Sequence, residues 1–113
     1  MRDQAPLGEF EQMVLLAVLR TSQDPADAYG VTIHDELTKR AKRRVARGAV
    51  YMTLDRLEKK GLLSSFLTEP TAERGGRAKR HFEVEAAGLR ALSASQDALK
   101  NMSEGLSRRW KRA

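Results

Sequence analysis

Residues 73–88 read ERGGRAKRHFEVEAAG, with two adjacent glycines ahead of a short alternation of polar and apolar residues. Adjacent glycines reach positive φ angles without a Cβ clash, so Gly75 and Gly76 are typical of a tight turn. The alternation that follows predicts a strand with Phe82 and Val84 on one face. This stretch therefore predicts the tip and the returning strand of a β-hairpin.

The turn and the returning strand carry a cluster of basic side chains: Arg74, Arg77, Lys79 and Arg80. Hairpin tips are ordinarily polar and solvated, so contact with water explains the cluster alone as well as contact with a ligand does. The rest of the chain has to separate these two explanations.

Two helical segments open the chain. Residues 8–20 carry apolar side chains on nearly every side of a helix, which predicts a helix at the centre of the core. A loop follows, and Asp27 is expected to be the N-cap of a second helix. The second helix has an apolar stripe at Tyr29, Ile33 and Leu37, spaced i, i+4 and i+8.

A third helix is predicted over residues 49–60, after a short basic connector, and Gly61 is expected to end it. Its expected inner face consists of Val50, Leu54 and Leu57. Its expected outer face consists of Tyr51, Thr53, Arg56, Lys59 and Lys60. Strands are predicted over residues 62–68 and 79–84, so a hairpin follows this helix directly.

The last predicted helix begins near Ala86 and carries an apolar seam with spacings of 7, 3 and 4 residues: Leu92, Leu99, Met102 and Leu106. Such heptad-like spacing is typical of helices that pair. A helix of this length is marginal in water unless its apolar stripe packs on something. We expect the seam to pair with a second copy of the chain, since the preceding helices already provide a core.

Composition narrows the functional classes. The chain has 113 residues, 41% hydrophobic and 32% charged, which is typical of one soluble globular domain. It has no cysteine, which excludes disulfides and cysteine-ligated metals and fits a cytoplasmic protein. No apolar run is long enough to span a bilayer, and no signal peptide is predicted. The two histidines lack a nearby nucleophile or carboxylate pair, so we predict no enzyme, no cofactor and no metal site.

The charge is distributed unevenly along the chain. Residues 1–37 hold two basic against seven acidic residues, a net charge of −5, whereas residues 38–60 hold nine against two, a net charge of +7. A strongly basic segment favours a polyanion, because binding releases the counterions condensed on phosphates. Anionic lipid is the other kind of surface that it would favour.

Three helices followed by a hairpin predict a mainly α (α+β) fold, a winged helix-turn-helix with a C-terminal dimerisation helix. In such a fold the third helix enters the major groove of DNA and the hairpin, or wing, lies along the backbone. We expect residues 1–85 to form the DNA-binding domain and residues 86–113 to form the dimerisation helix and a basic tail.

Four segments resemble the PadR family of bacterial transcriptional regulators: LGEFEQMVLLAVL (7–19), AYGVTIHDEL (28–37), GAVYMTLDRLEKKGLL (48–63) and EPTAERGGRAKRHFEVEAAG (69–88). The resemblance implies a cytoplasmic homodimer that binds operator DNA, usually as a repressor. It implies the short form of the family, with a single C-terminal dimerisation helix. It further implies an effector that is a small apolar or phenolic ligand.

Matching positions carry the family's roles over to this sequence. The recognition-helix residues would be Arg47, Gly48, Ala49, Tyr51, Met52, Thr53 and Arg56. The wing residues would be Arg74, Gly75, Gly76, Arg77, Lys79 and Arg80. The dimerisation residues follow instead from the heptad-like spacing and would be Leu92, Leu99, Met102 and Leu106. The N-cap position before Arg47, often a serine in this family, is Ala46 here.

A second function stays open from sequence alone. A winged helix does not fix function, so the chain could be a protein- or RNA-binding adaptor without operator specificity. A nonspecific DNA binder is a third possibility, and it would show no operator preference. The outer face of the third helix separates these classes, because only sequence-specific DNA binding requires it independently of the wing.

Overall fold

The computed structural model describes residues 6–24, 28–68, 79–106 and 110. Its elements, in chain order, are α1 (Glu9–Thr21), α2 (Gly30–Ala41), α3 (Arg47–Lys59), β1 (Leu63–Leu67), β2 (Arg80–Val84) and α4 (Ala86–Ser103). Three helices, an antiparallel hairpin and a fourth helix confirm the predicted mainly α, winged helix-turn-helix fold.

Helix α1 lies at the centre of the core, as its sequence predicts. Val14, Leu15 and Val18 are fully buried, and α1 packs against α2, α3, α4 and strand β2. Leu16 is the exception, since it reaches the surface. A helix that contacts four neighbouring elements needs apolar residues on nearly every side, which accounts for its composition.

Helix α2 begins later than predicted. Its N-cap is Tyr29, so the expectation of an N-cap at Asp27, which lies outside the described residues, is wrong. The residues before the helix are extended instead, because Phe82 N–H donates to the Ala28 carbonyl at 2.8 Å and Tyr29 bridges to His81. The chain therefore runs alongside β2 before it turns into α2.

Helix α3 is anchored by its predicted inner face, since Val50, Leu54 and Leu57 are fully buried. Gly61 ends the helix with φ at +78°, a conformation that glycine adopts without strain. The Leu62 amide donates to the Leu57 carbonyl at 3.0 Å, and the Gly61 amide donates to Glu58 at 2.9 Å. This pair of bonds is a Schellman motif, which satisfies the last carbonyls of the helix.

The hairpin pairs β1 with β2 in register from Leu63 opposite Val84 to Leu67 opposite Arg80. Phe82 is buried and Val84 is half-buried on the same face, as predicted. The turn between the strands, including Arg74, Gly75, Gly76 and Arg77, lies outside the described residues.

Helix α4 has two halves with different surroundings. Near its start a Cβ on Gly88 would lie 2.3 Å from the Leu62 carbonyl oxygen, so the backbones are in close contact there. Leu92, predicted as the first residue of a dimer seam, is 6% exposed and belongs to the domain's own core. The prediction for Leu92 is wrong, because the first half of α4 packs on the core of its own domain and only the second half extends beyond it. Leu99, Met102 and Leu106 are exposed.

Candidate nucleic-acid interface

The turn between α2 and α3, residues 42–46, is held by a histidine. The Nε2 atom of His34 lies 2.6 Å from the Val45 carbonyl oxygen, and since a carbonyl only accepts, Nε2 carries the proton. Lys42 starts the turn in the left-handed conformation, with φ at 56°. His34 therefore fixes the path that leads into α3.

The start of α3 is open on its outer side. Arg47, Gly48 and Ala49 are exposed, and a Cβ placed on Gly48 would meet no atom within 4 Å among the described residues. The N-cap is Ala46, which provides no side-chain hydrogen bond to the free amides of the first turn. Free amides at a helix start favour an anion such as phosphate.

Tyr51 lies at one edge of this surface. Its ring packs over the first turn of α2, where a Cβ on Gly30 would fall 2.3 Å from the ring carbon Cε1. The side chain remains 42% exposed. The Tyr29–Gly30 pair of the family motif thus has a steric explanation, because only glycine leaves room for the ring.

Thr53 does not lie on the outer face, so its predicted position is wrong. It is 3% exposed, because it follows Val50 by three residues and precedes Leu57 by four, a spacing that places all three on the inner stripe. A buried threonine has no access to a base edge. Met52, by contrast, is 65% exposed and projects outward.

Arg56 and Lys60 border α1 rather than extending freely into solvent. Lys60 Nζ lies 2.9 Å from the Glu11 carboxylate, and Arg56 Nη1 lies 4.0 Å from the same oxygen. Glu11 is buried and also accepts the Gly8 amide at 3.1 Å. Burial raises the pKa of Glu11, but the hydrogen bonds from Lys60 and Gly8 and the two positive charges outweigh it and leave that pKa below its ordinary value.

Several other basic side chains of the middle segment are paired internally. Arg43 forms a two-point bond with Glu9, at 3.0 and 3.2 Å, and this bond lowers the pKa of Glu9 and raises that of Arg43. Arg40 bonds Glu36 at 2.8 Å. The acidic N-terminal segment therefore neutralises part of the basic segment within the same chain.

The basic residues without an ion pair among the described residues show where positive charge faces solvent. Five basic residues between 38 and 60 make no ion pair with any residue that the structure describes: Lys39, Lys42, Arg44, Arg47 and Lys59. All five are exposed. Lys42, Arg44 and Arg47 belong to the turn and to the first residue of α3, so unpaired positive charge surrounds the open helix start.

The base of the wing carries two of the predicted basic residues. Lys79 Nζ lies 3.9 Å from the centroid of the Tyr29 ring, a cation–π contact. Arg80 pairs with two carboxylates of α3, with Nη1 at 3.0 Å from Asp55 and Nη2 hydrogen-bonded to Glu58. The described part of the wing is thus attached to α2 by Lys79 and to α3 by Arg80.

Sequence reasoning missed three of these contacts. The pairing of Glu11 with Lys60 had a signal in the sequence, because a carboxylate on a helix that is apolar on nearly every side is expected to need a cation. Gly30 was read as part of a motif without a steric role. The Asp55–Glu58 pair, three residues apart on α3, carried a signal for a bridging cation that was not used.

Comparison with known proteins identifies the family of this chain. The model of the transcriptional regulator PadR-like family matches residues 15–94, which is most of the chain. The chain belongs to the PadR-like family. Members of this family are transcription factors and not enzymes. No curated protein matches the chain.

Solved structures of PadR-like regulators share the fold of this PadR-like protein. A PadR-like transcription factor from Bacteroides fragilis superposes with a TM-score of 0.69 at 25% identity, covering 84% of each chain. A PadR-like regulator from Bacillus cereus gives 0.62 at 21% identity, covering 86% of this chain and 93% of the other. A PadR family regulator from Clostridium difficile gives 0.65 at 18% identity, covering 84% and 92%.

Among the described residues, no group of three or more histidine or acidic side chains is arranged to hold a metal ion. In the same residues, no helix combines the length and the apolar character needed to cross a membrane.

Proposed function

We propose that this PadR-like regulator is a dimeric, cytoplasmic repressor that binds a pseudo-palindromic operator in double-stranded DNA. The observation that carries the proposal is that Lys42, Arg44 and Arg47, beside an open helix start, form no ion pair with the residues that the structure describes. Phosphate binding needs unpaired cations and free amides at the same place, and both are found here.

In this proposal α3 lies in the major groove with its first turn against the backbone. Gly48 and Ala49 permit close approach to a phosphate, Arg47 reaches a guanine edge or a phosphate, and Met52 contacts a base edge through its apolar end. Tyr51 contacts phosphate from the edge of the surface around the start of α3. Thr53 has no part in it, because it is buried.

The wing completes the grip on the backbone. Arg74, Arg77 and Lys79, with Gly75 and Gly76 shaping the turn, would hold phosphates and set the register of the protein on the duplex. Two copies joined through α4 would place their α3 helices in successive major grooves, about 34–36 Å apart. Repression would follow from occlusion of a promoter.

We extend the proposal to release by a small apolar ligand. An apolar groove between α1 and α2, lined by Met13, Leu16 and Leu37, holds about 260 Å³. This is below the roughly 300–1,000 Å³ of ordinary ligand pockets. We propose instead that the effector binds in the space between the two copies, where it would change the distance between the α3 helices.

Selection of bound sequences from a pool of random duplexes tests the operator proposal. The expected result is enrichment of a two-fold related pair of half-sites whose centres are about 10 base pairs apart. Failure to enrich any sequence, with DNA still bound, would contradict operator recognition and indicate a nonspecific binder. No DNA binding at all would favour the adaptor function.

Adjacent arginines provide a matched control for the phosphate contacts. Arg44 has no ion-pair partner among the described residues, whereas Arg43 is bonded to Glu9. Arg44→Ala should reduce the slope of log affinity against log salt by about one, since one phosphate contact is lost. The double variant Arg43→Ala, Glu9→Gln keeps the net charge constant and should leave that slope unchanged.

A further inference from the structure

We propose that Arg80 is a positioning residue of the DNA interface, which attaches the wing to α3 and cancels two carboxylates on α3, and is not itself a phosphate contact. This assignment differs from the role that the sequence suggested for Arg80, and it rests on the proposed DNA-binding function. We call the group formed by Arg80, Asp55, Glu58 and Ser65 the wing clamp.

The carboxylates create the need for the clamp. Asp55 and Glu58 lie on α3, three residues apart, with 54% and 31% of their side chains exposed. A recognition helix that presents two uncompensated negative charges would repel the phosphates on either side of the groove. A neighbouring cation is therefore required for α3 to approach a duplex.

Arg80 satisfies this need with all three nitrogens of its guanidinium. Nη1 donates to Asp55 at 3.0 Å, Nη2 donates to Glu58, and Nε donates to the Ser65 hydroxyl at 3.1 Å. Ser65 in turn donates to the second oxygen of Glu58 at 2.8 Å. The guanidinium carbon of Arg80 also lies 5.0 Å from the centroid of the Phe82 ring.

The geometry favours an internal role over a phosphate contact. Three of the five guanidinium N–H groups already donate within the protein, and turning the guanidinium away toward a phosphate would leave both negative charges facing the DNA. The planar, forked guanidinium suits several acceptors at once, whereas a lysine ammonium is a single point charge. Arg80 also joins β2 to β1 and to α3, so the clamp fixes the angle between the wing and the recognition helix.

A thermodynamic cycle on DNA affinity tests the proposal. The four proteins are the wild type, Arg80→Ala, the double variant Asp55→Asn, Glu58→Gln, and the triple variant that combines them. Arg80→Ala should weaken binding roughly tenfold, because it uncovers two carboxylates. Removing the carboxylates should restore most of this loss in the Arg80→Ala background and change little in the wild type. Arg80→Lys should remain impaired.

Additive effects, with equal gains in both backgrounds, or full activity of Arg80→Lys would overturn the proposal and indicate a direct phosphate contact. Arg44→Ala serves as the control, because its loss should not be restored by Asp55→Asn, Glu58→Gln.

A measurement without DNA separates the clamp from the proposed function. Hydrogen exchange of the Thr68 and Phe82 amides, which donate to the Lys79 and Ala28 carbonyls, should be roughly threefold faster in Arg80→Ala, and equally fast in the triple variant, since the fork is absent from both. Unchanged exchange would overturn the clamp even if DNA binding were demonstrated. Faster exchange in a protein that binds no duplex would support the clamp and refute the DNA-binding function.

Discussion

Gly48 shows how one residue can serve stability and binding in opposite ways. It is the second residue of α3, it is exposed, and a Cβ there would meet no described atom. Glycine in a helix costs about 0.5–1 kcal/mol relative to alanine. No residue that the structure describes requires a glycine here, so we explain it by what approaches from outside, which in our proposal is a phosphate.

We therefore predict that Gly48→Ala makes the protein more stable and a weaker DNA binder. The free energy of unfolding should rise by about 0.5–1 kcal/mol, as measured by urea denaturation. Operator affinity should fall in the same variant. Gly88→Ala is the contrasting control, because its Cβ would collide with the Leu62 carbonyl and should lower stability. Unchanged operator affinity in Gly48→Ala would contradict close approach of DNA at this position.

Glu11 supports a prediction about pH. Its pKa in the folded protein is lowered despite burial, so the ionised form stabilises the fold above the ordinary carboxylate pKa, and this contribution is lost as the pH falls through the folded value. Glu11→Gln should cost about 1 kcal/mol at neutral pH, a modest figure because Lys60 is half exposed to screening solvent. The difference between the two proteins should shrink below about pH 4. A difference that stays constant down to pH 3 or so would contradict the lowered pKa.

At the scale of elements, the periodicity of apolar residues predicted which faces are buried. It failed for α4, whose two halves have different surroundings. The inner faces of α1 and α3 and the positions of the two strands follow from the spacing of apolar residues. The end of α3 follows from Gly61, because glycine adopts a positive φ without strain. Thr53 was misplaced because its hydroxyl suggested exposure, although it lies between Val50 and Leu57 on the inner stripe. Leu92 was misplaced because a heptad spacing does not reveal where a helix leaves its own domain. The partners of Arg80 and Glu11 depend on tertiary contacts, which no local pattern encodes.

The second half of α4 leads to a prediction about assembly. Met102 is 78% exposed, and with Leu99 and Leu106 it forms an apolar surface that the described core does not cover. Met102→Asp should convert a dimer into a monomer without unfolding the domain, because a charge in a helix seam is poorly solvated. Asn101→Asp introduces the same carboxylate beside the seam and should leave the dimer intact. Sedimentation equilibrium distinguishes the two outcomes, and a Met102→Asp protein that remains dimeric would refute the seam.

At the scale of the whole molecule, paired and unpaired charges occupy different parts of the surface. Glu9, Glu11 and Glu36 pair with cations of the basic segment, while Lys42, Arg44 and Arg47 remain unpaired among the described residues. Net charge alone predicted a polyanion partner but did not show where it would bind. The internal pairs engage the cations near α1, and of the five described cations without an ion pair three lie in the turn and at the start of α3. This concentration of charge is the basis for assigning the DNA interface.

The most direct measurement is fluorescence anisotropy with DNA from upstream of the chain's own gene and with a scrambled duplex, from about 50 to about 300 mM salt. Many regulators of this kind bind DNA upstream of their own gene, so this fragment is the first operator to test. We predict that it binds about 10³-fold more tightly than the scrambled duplex, with steep salt dependence for both. Equal affinity for the two duplexes, in a range where the protein is a folded dimer, would contradict sequence-specific recognition of this DNA by α3.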